Sequence, residues 1–161
     1  MQTRVLWSAS AIACALLAAC SEAAECGPSS GVVSRVIDGD TVELSSGQRI
    51  RYLMLDTPED TNGHVECYGP EAREFNQRLV EGQRVSLRYD TECRDRYGRA
   101  LAYVSVGSLE VNTALVAEGF ACVLHIPPNG DARAREFEAL EAGARVVQRG
   151  LWGACDRSPC E

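Results

Sequence analysis

Three short runs of charge in this 161-residue sequence hold the residue types that chemistry needs. Asp38-Gly39-Asp40-Thr41 sets two carboxylates two residues apart in a turn. Carboxylates so spaced can converge on a hard cation, which takes several oxygen ligands, although Asp-Gly is equally the composition of a plain hairpin turn. Arg51-Tyr52-Leu53-Met54-Leu55-Asp56-Thr57-Pro58-Glu59 places an arginine in an apolar stretch. There it needs an anionic partner, either an internal carboxylate or a bound phosphate. Arg94-Asp95-Arg96-Tyr97-Gly98-Arg99 gathers three arginines beside a tyrosine. Guanidinium forks match phosphate oxygens, and a solvated charged loop has the same composition. Cation-binding carboxylates, a free glutamate and two arginines together are the kit for metal-assisted phosphodiester hydrolysis. A cation polarises the phosphate, a carboxylate orients or deprotonates the attacking water, and arginines neutralise the charge that builds.

Such a kit works only if rigid elements hold it together. Val32 to Ile37 is apolar and β-branched and reads as a strand, Thr41 to Leu44 as its return strand after the Asp-Gly turn, and Ile50 to Leu55 as a third, largely buried strand. Pro58 stops this meander. Asp60 to Tyr68 is polar and without periodicity, hence a loop. From Pro70, Ala72, Phe75, Leu79 and Val80 recur at helical spacing until Gly82. Val85, Leu87 and Tyr89 form a half-buried strand, and Leu101, Tyr103 and Val104 a fifth. Val111 to Val116 is a short helix closed by Gly119, and Asp131 to Gln148 a longer one with Phe137, Leu140, Ala144 and Val147 along one face and Gly150 as its stop. Five short strands, a helix after the third and two helices at the end predict an α+β, mainly β fold: a five-stranded Greek-key barrel of the OB type with three helices. A split antiparallel sheet is the fallback.

Composition limits the rest. All 16 basic residues are arginine, against 23 acidic ones, for a net charge of -7. An acidic protein repels a polyanion at a distance, so any phosphate chemistry depends on a local arginine cluster. Met1 to Cys20 carries one charge, Arg4, then an apolar run and small residues, the layout of a secretory signal. Its end, Leu17-Ala18-Ala19-Cys20, resembles the lipobox of bacterial lipoproteins, with Cys20 as the lipid attachment point; a plain signal cut near Ala24 is the alternative. The expected organisation is a signal peptide over 1–19, a tether over 20–30, one catalytic domain over 31–155 and a tail over 156–161, in an exported monomer held at the outer membrane or cell surface, or else periplasmic or secreted. Six cysteines remain beyond the leader, Cys26, Cys67, Cys93, Cys122, Cys155 and Cys160, and an even set in an exported chain reads as disulfides. Structural zinc is the competing reading. His64-Val65-Glu66 matches half of a zinc deaminase motif, but the sequence has no C-x-x-C pair and that reading is dropped.

Several ordered motifs resemble the staphylococcal (micrococcal) nuclease family: Ile37-Asp38-Gly39-Asp40-Thr41-Val42, Arg51 followed by Asp56-Thr57-Pro58-Glu59, Tyr68-Gly69-Pro70-Glu71-Ala72, Asp95-Arg96-Tyr97-Gly98-Arg99 with Leu101-Ala102-Tyr103, and Val111-Asn112 with Leu115-Val116. The likeness runs from about Gly31 to Trp152. It implies an OB barrel with three helices and a calcium-dependent nuclease that cleaves DNA and RNA with little sequence preference. Position by position, it implies Asp40 and Asp56 as calcium ligands with the Thr57 carbonyl, Glu59 as general base or water-orienter, and Arg51 and Arg99 as the clamp on the reacting phosphate. Tyr97 and Arg96 would then touch substrate, and Asp38 would stand behind the ligands. Two tyrosines that line the family's base pocket are missing, since Cys122-Val123-Leu124-His125-Ile126-Pro127 occupies that stretch; His125 either stacks in their place or is structural. Laid onto the family fold, the cysteines pair as Cys67 with Cys93, Cys122 with Cys155 and Cys26 with Cys160. An inactive OB-type module that binds nucleic acid, sugar or protein at the envelope is the reading from another class.

Overall fold

The computed structural model describes residues 26–61, 63–157 and 159–160, so the leader and Cys20 lie outside the described residues. Along the chain come β1 (Ser30–Val36), β2 (Thr41–Leu44), β3 (Arg49–Tyr52), β4 (Leu55–Asp56), β5 (Asp60–Thr61), β6 (His64–Val65), α1 (Gly69–Val80), β7 (Arg84–Arg88), β8 (Ala100–Val106), β9 (Leu109–Glu110), α2 (Val111–Ala117), β10 (Cys122–Val123), α3 (Ala134–Val146) and the single turn α4 (Leu151–Ala154). β1, β2 and β3 form the antiparallel meander, with Val36 opposite Val42 and Val42 opposite Ile50. β7 pairs with the start of β1 and with β8, and β8 returns to β3 in parallel, Arg51 opposite Leu101. That last pairing closes the five strands into the predicted barrel. Alternation explains why: in β7, Val85 and Leu87 point inward while Arg84, Ser86 and Arg88 are exposed. The closed core holds Val33, Val42, Ile50, Tyr52, Val85 and Val104, with Leu115 and Phe137 of α2 and α3 packed over one end.

The structure departs from the expectations in four places. The third strand breaks at Leu53-Met54, where Met54 takes a φ of 69°, and resumes as β4, which pairs with β10. The 60–68 segment is no plain loop but contains the small hairpin β5–β6. The long helix is shorter at both ends, and Val147, past its last turn, is exposed. The cysteine pairing is also corrected: the bridges are Cys26–Cys93, Cys67–Cys155 and Cys122–Cys160, with Cα separations of 4.9, 5.9 and 5.8 Å. The path of the two chain ends accounts for this. Residues ahead of β1 continue along β7, where the Tyr89 hydroxyl donates to the Pro28 carbonyl, so Cys26 reaches Cys93 just beyond that strand. The segment after α4 passes first Cys67 and then Cys122.

Candidate active site

Asp40 ends the β1–β2 turn and is 5% exposed. Its Oδ2 accepts from the Thr57 backbone N–H at 3.0 Å and from the Thr57 hydroxyl at 3.2 Å, and its Oδ1 accepts from the Thr41 hydroxyl at 3.0 Å. Gly39 makes this approach possible: a Cβ there would stand 2.6 Å from Thr57 Oγ1. Asp38 is a different kind of acid. Its Oδ1 accepts from the Asp40 N–H, and burial first, then the charge of Asp40, pushes it up to about 7.

Arg51 projects from β3 and is 9% exposed. The partners left open by the sequence are internal carboxylates: Nε meets Asp40 Oδ1 at 3.1 Å and Nη2 meets Asp56 Oδ1 at 2.6 Å. Nη1 donates to the Tyr52 and Leu55 carbonyls, which the strand break presents to it. Acids from two elements therefore converge on one cationic centre. Asp56 is exposed at its rim and held above the ordinary carboxylate range, first by desolvation, with Asp40, Glu59 and Glu66 adding to it against the pull of Arg51. Among the described residues no group of three or more His, Cys, Asp or Glu is gathered for a metal, so a cation between Asp40 and Asp56 would draw further oxygens from backbone or water.

Glu59 lies at the mouth, its side-chain Oε2 accepting from the Thr61 hydroxyl at 3.0 Å. Its backbone is clamped in both directions by Glu66, and Gly69, at the start of α1, leaves no room for a Cβ beside the Glu59 carbonyl. Arg99, at the end of the 94–99 loop, donates from Nε to Asp95 Oδ2 at 2.7 Å and from Nη1 to the Thr41 hydroxyl at 3.3 Å. Asp95 Oδ1 also accepts from the Tyr97 and Arg99 backbones, so this one carboxylate shapes the loop. Tyr97 is 68% exposed, with Arg96 bonded to its hydroxyl and the Arg99 guanidinium 5.6 Å from its ring centre.

The expected residues thus form one connected network, running Arg99, Thr41, Asp40, Arg51, Asp56, with Glu59 three residues beyond. Two cavities open on it. One, of about 430 Å³, is lined by Arg51, Arg96, Tyr97 and Arg99 and by the exposed apolar side chains Leu124 and Ile126. His125 faces Asp131 instead, at 2.9 Å. The other, of about 730 Å³, takes in Glu59, Tyr97 and Arg99 on the far side. Sequence reasoning missed Thr41 as the link to Arg99, Asp95 as the holder of Arg99 and Glu66 as the clamp on Glu59. Only Asp95, four residues before its arginine, left a local signal.

Residues 49–154 match the family described as staphylococcal nuclease homologue. A thermonuclease of Staphylococcus intermedius is 39% identical over 126 residues, which are 75% of this chain and 74% of that protein. One from Staphylococcus hyicus is 38% identical over 125 residues, 74% of this chain and 73% of its own. Endonuclease YncB of Bacillus subtilis (strain 168) is 35% identical over 126 residues, 74% of this chain and 60% of that protein.

Proposed function

This chain belongs to the staphylococcal nuclease homologue family and is a nuclease acting on nucleic acid, and from that premise we propose a calcium-dependent phosphodiesterase that hydrolyses DNA and RNA with little sequence preference. The observation that carries the reading is the unbroken network from Arg99 to Asp56 beside an exposed glutamate. Oxygens of Asp40, Asp56 and the Thr57 carbonyl would hold calcium, which when bound would supply positive charge beside the phosphate and offset the crowded carboxylates. The donor set suits it, being all oxygen and already shared around one cation. Arg51 is fixed in plane by its Nη1 bonds to two carbonyls, so Nε and Nη2 form the edge for which a phosphate oxygen competes with Asp40 and Asp56. Arg99 approaches from the other side. Both neutralise charge as water attacks phosphorus and the ester P–O bond breaks, while Glu59 orients that water and takes its proton. A base flanking the reacting phosphate packs against Tyr97, Leu124 and Ile126, an apolar wall that makes no hydrogen-bond demand on sequence. Envelope anchoring through acylated Cys20 completes the proposal, and the mass of the mature N-terminus reads it.

Incubation of plasmid, single-stranded DNA and RNA with calcium, and with chelator, tests the activity. Degradation of all three only with calcium is expected. Intact substrate that is nevertheless bound would make the chain a binding module, and degradation in chelator would remove the calcium assignment.

A further inference from the structure

The larger cavity differs in character from the smaller one. Arg94, Tyr97 and Arg99 line both cavities and so form the partition between them. Past that partition the lining contains Arg49, Gln48 and Glu59 and none of the aliphatic side chains of the first cavity. Its charge is not balanced internally. Arg49 meets Glu43 at 3.5 Å, but Glu43 is already held by Arg35 at 3.2 Å, so two guanidinium groups share one carboxylate. Arg94 donates to the Gly98 carbonyl and has no carboxylate partner among the described residues. Gln48 also lines the cavity, with its amide nitrogen buried beside Gly27.

A nuclease that cuts inside a strand must hold nucleotides on both sides of the phosphate it attacks, and the apolar cavity accommodates only one side. We propose that the cavity bounded by Arg49, Arg94 and Gln48 is a second nucleotide subsite, which grips the phosphate adjacent to the reacting one through Arg49. The strand then runs from the Leu124 and Ile126 wall, across Arg51 and Arg99, into a polar cleft that takes backbone rather than base. A volume of about 730 Å³ falls within the range of small-molecule sites, roughly 300–1,000 Å³. The surplus guanidinium charge gives this acidic protein a local hold on a polyanion. The assignment rests on the nuclease reading above and adds to it a positioning residue, Arg49, outside the catalytic network.

Arg49 is 57% exposed at its side chain, so its replacement leaves the core intact. The test compares wild type, Arg49→Gln and Arg49→Lys on single-stranded oligonucleotides from two to ten residues long, reading kcat and KM separately over a salt series. Expected is a gain in kcat/KM with length in the wild type that Arg49→Gln cuts roughly tenfold through KM, with the slope of log(kcat/KM) against log salt shallower by about 0.7. Arg49→Lys restores the slope. An Arg49→Gln enzyme with the wild-type length dependence and slope overturns the subsite. So does an equal loss at every length with an unchanged slope, which marks a structural role. If the wild type cuts nothing, the nuclease reading fails by itself. Anisotropy titration of a labelled ten-residue oligonucleotide then decides the subsite, which stands if Arg49→Gln weakens binding and falls if it does not.

Discussion

Arg51 carries a structural role and a proposed catalytic one, which stability and kinetic measurements read separately. As a cation beside the buried Asp40 it is part of the folded structure, and in the proposed mechanism it is also the donor edge beside the reacting centre. Arg51→Ala is expected to lower kcat/KM by about 10²–10³ and also to cost about 3 kcal/mol, because Asp40 keeps its burial and loses its counter-charge. Arg99→Ala should match the kinetic loss with at most about 1 kcal/mol, since its partner Asp95 sits in a wetter loop. Denaturant titration beside steady-state kinetics checks both, and an Arg51→Ala protein of wild-type stability would show that Asp40 does not depend on it. The sequence pointed to Arg51 because a charge in an apolar strand is conspicuous. It left the partner undecided, since Asp40 and Asp56 become neighbours of that side chain only when β2 and β3 pair and the strand breaks after Tyr52.

The elements that hold these side chains are themselves held by polar groups. In the 94–99 loop, burial works against the charge of Asp95, but its bonds and charge interaction with Arg99 and the bond from the Tyr97 N–H outweigh it, and Asp95 sits below the ordinary carboxylate range. A carboxylate depressed in the folded state contributes stability above its ordinary value near 3.8, and that contribution is lost as pH falls through the depressed value. Amide protection at Tyr97 and Arg99, corrected for intrinsic exchange, should therefore hold at pH 5 and fall as the acid range below 4 is entered. Asp95→Asn should show the low protection throughout, and pH-independent protection would contradict the assignment. The barrel strands were readable from β-branched apolar runs between turn residues or, in β7, from alternation, and the three main helices from apolar spacing near 3.6. β4, β5, β6, β9 and β10 were not, since two residues carry no period. The pairing of Cys122 with Asp56 across β10 and β4 exists only through tertiary contact.

At the scale of the whole molecule, each disulfide fastens a segment flanking the barrel to a segment that bears the candidate site. Cys93 precedes the arginine loop, Cys67 follows the hairpin that begins just after Glu59, and Cys122 lies opposite Asp56, whereas their partners lie ahead of β1 (Cys26) and after α4 (Cys155 and Cys160). Spacing along the sequence could not reveal this, because it does not say where the ends travel. The 88-residue separation bridged by Cys67–Cys155 is worth about 4 kcal/mol in the chain-entropy model. The double variant Cys67→Ser/Cys155→Ser is expected to lose about that much stability in a denaturation experiment, and to lose activity at temperatures where its fold survives, as the Glu59 segment loosens. Full activity of the folded double variant would show that the fastening serves the fold alone. The same arrangement makes the site depend on redox conditions. All six thiols must be oxidised before the three bridges can close. A chain whose thiols are kept reduced is thus a blade without its rivets, and how well it cuts is expected to follow the redox state of its surroundings.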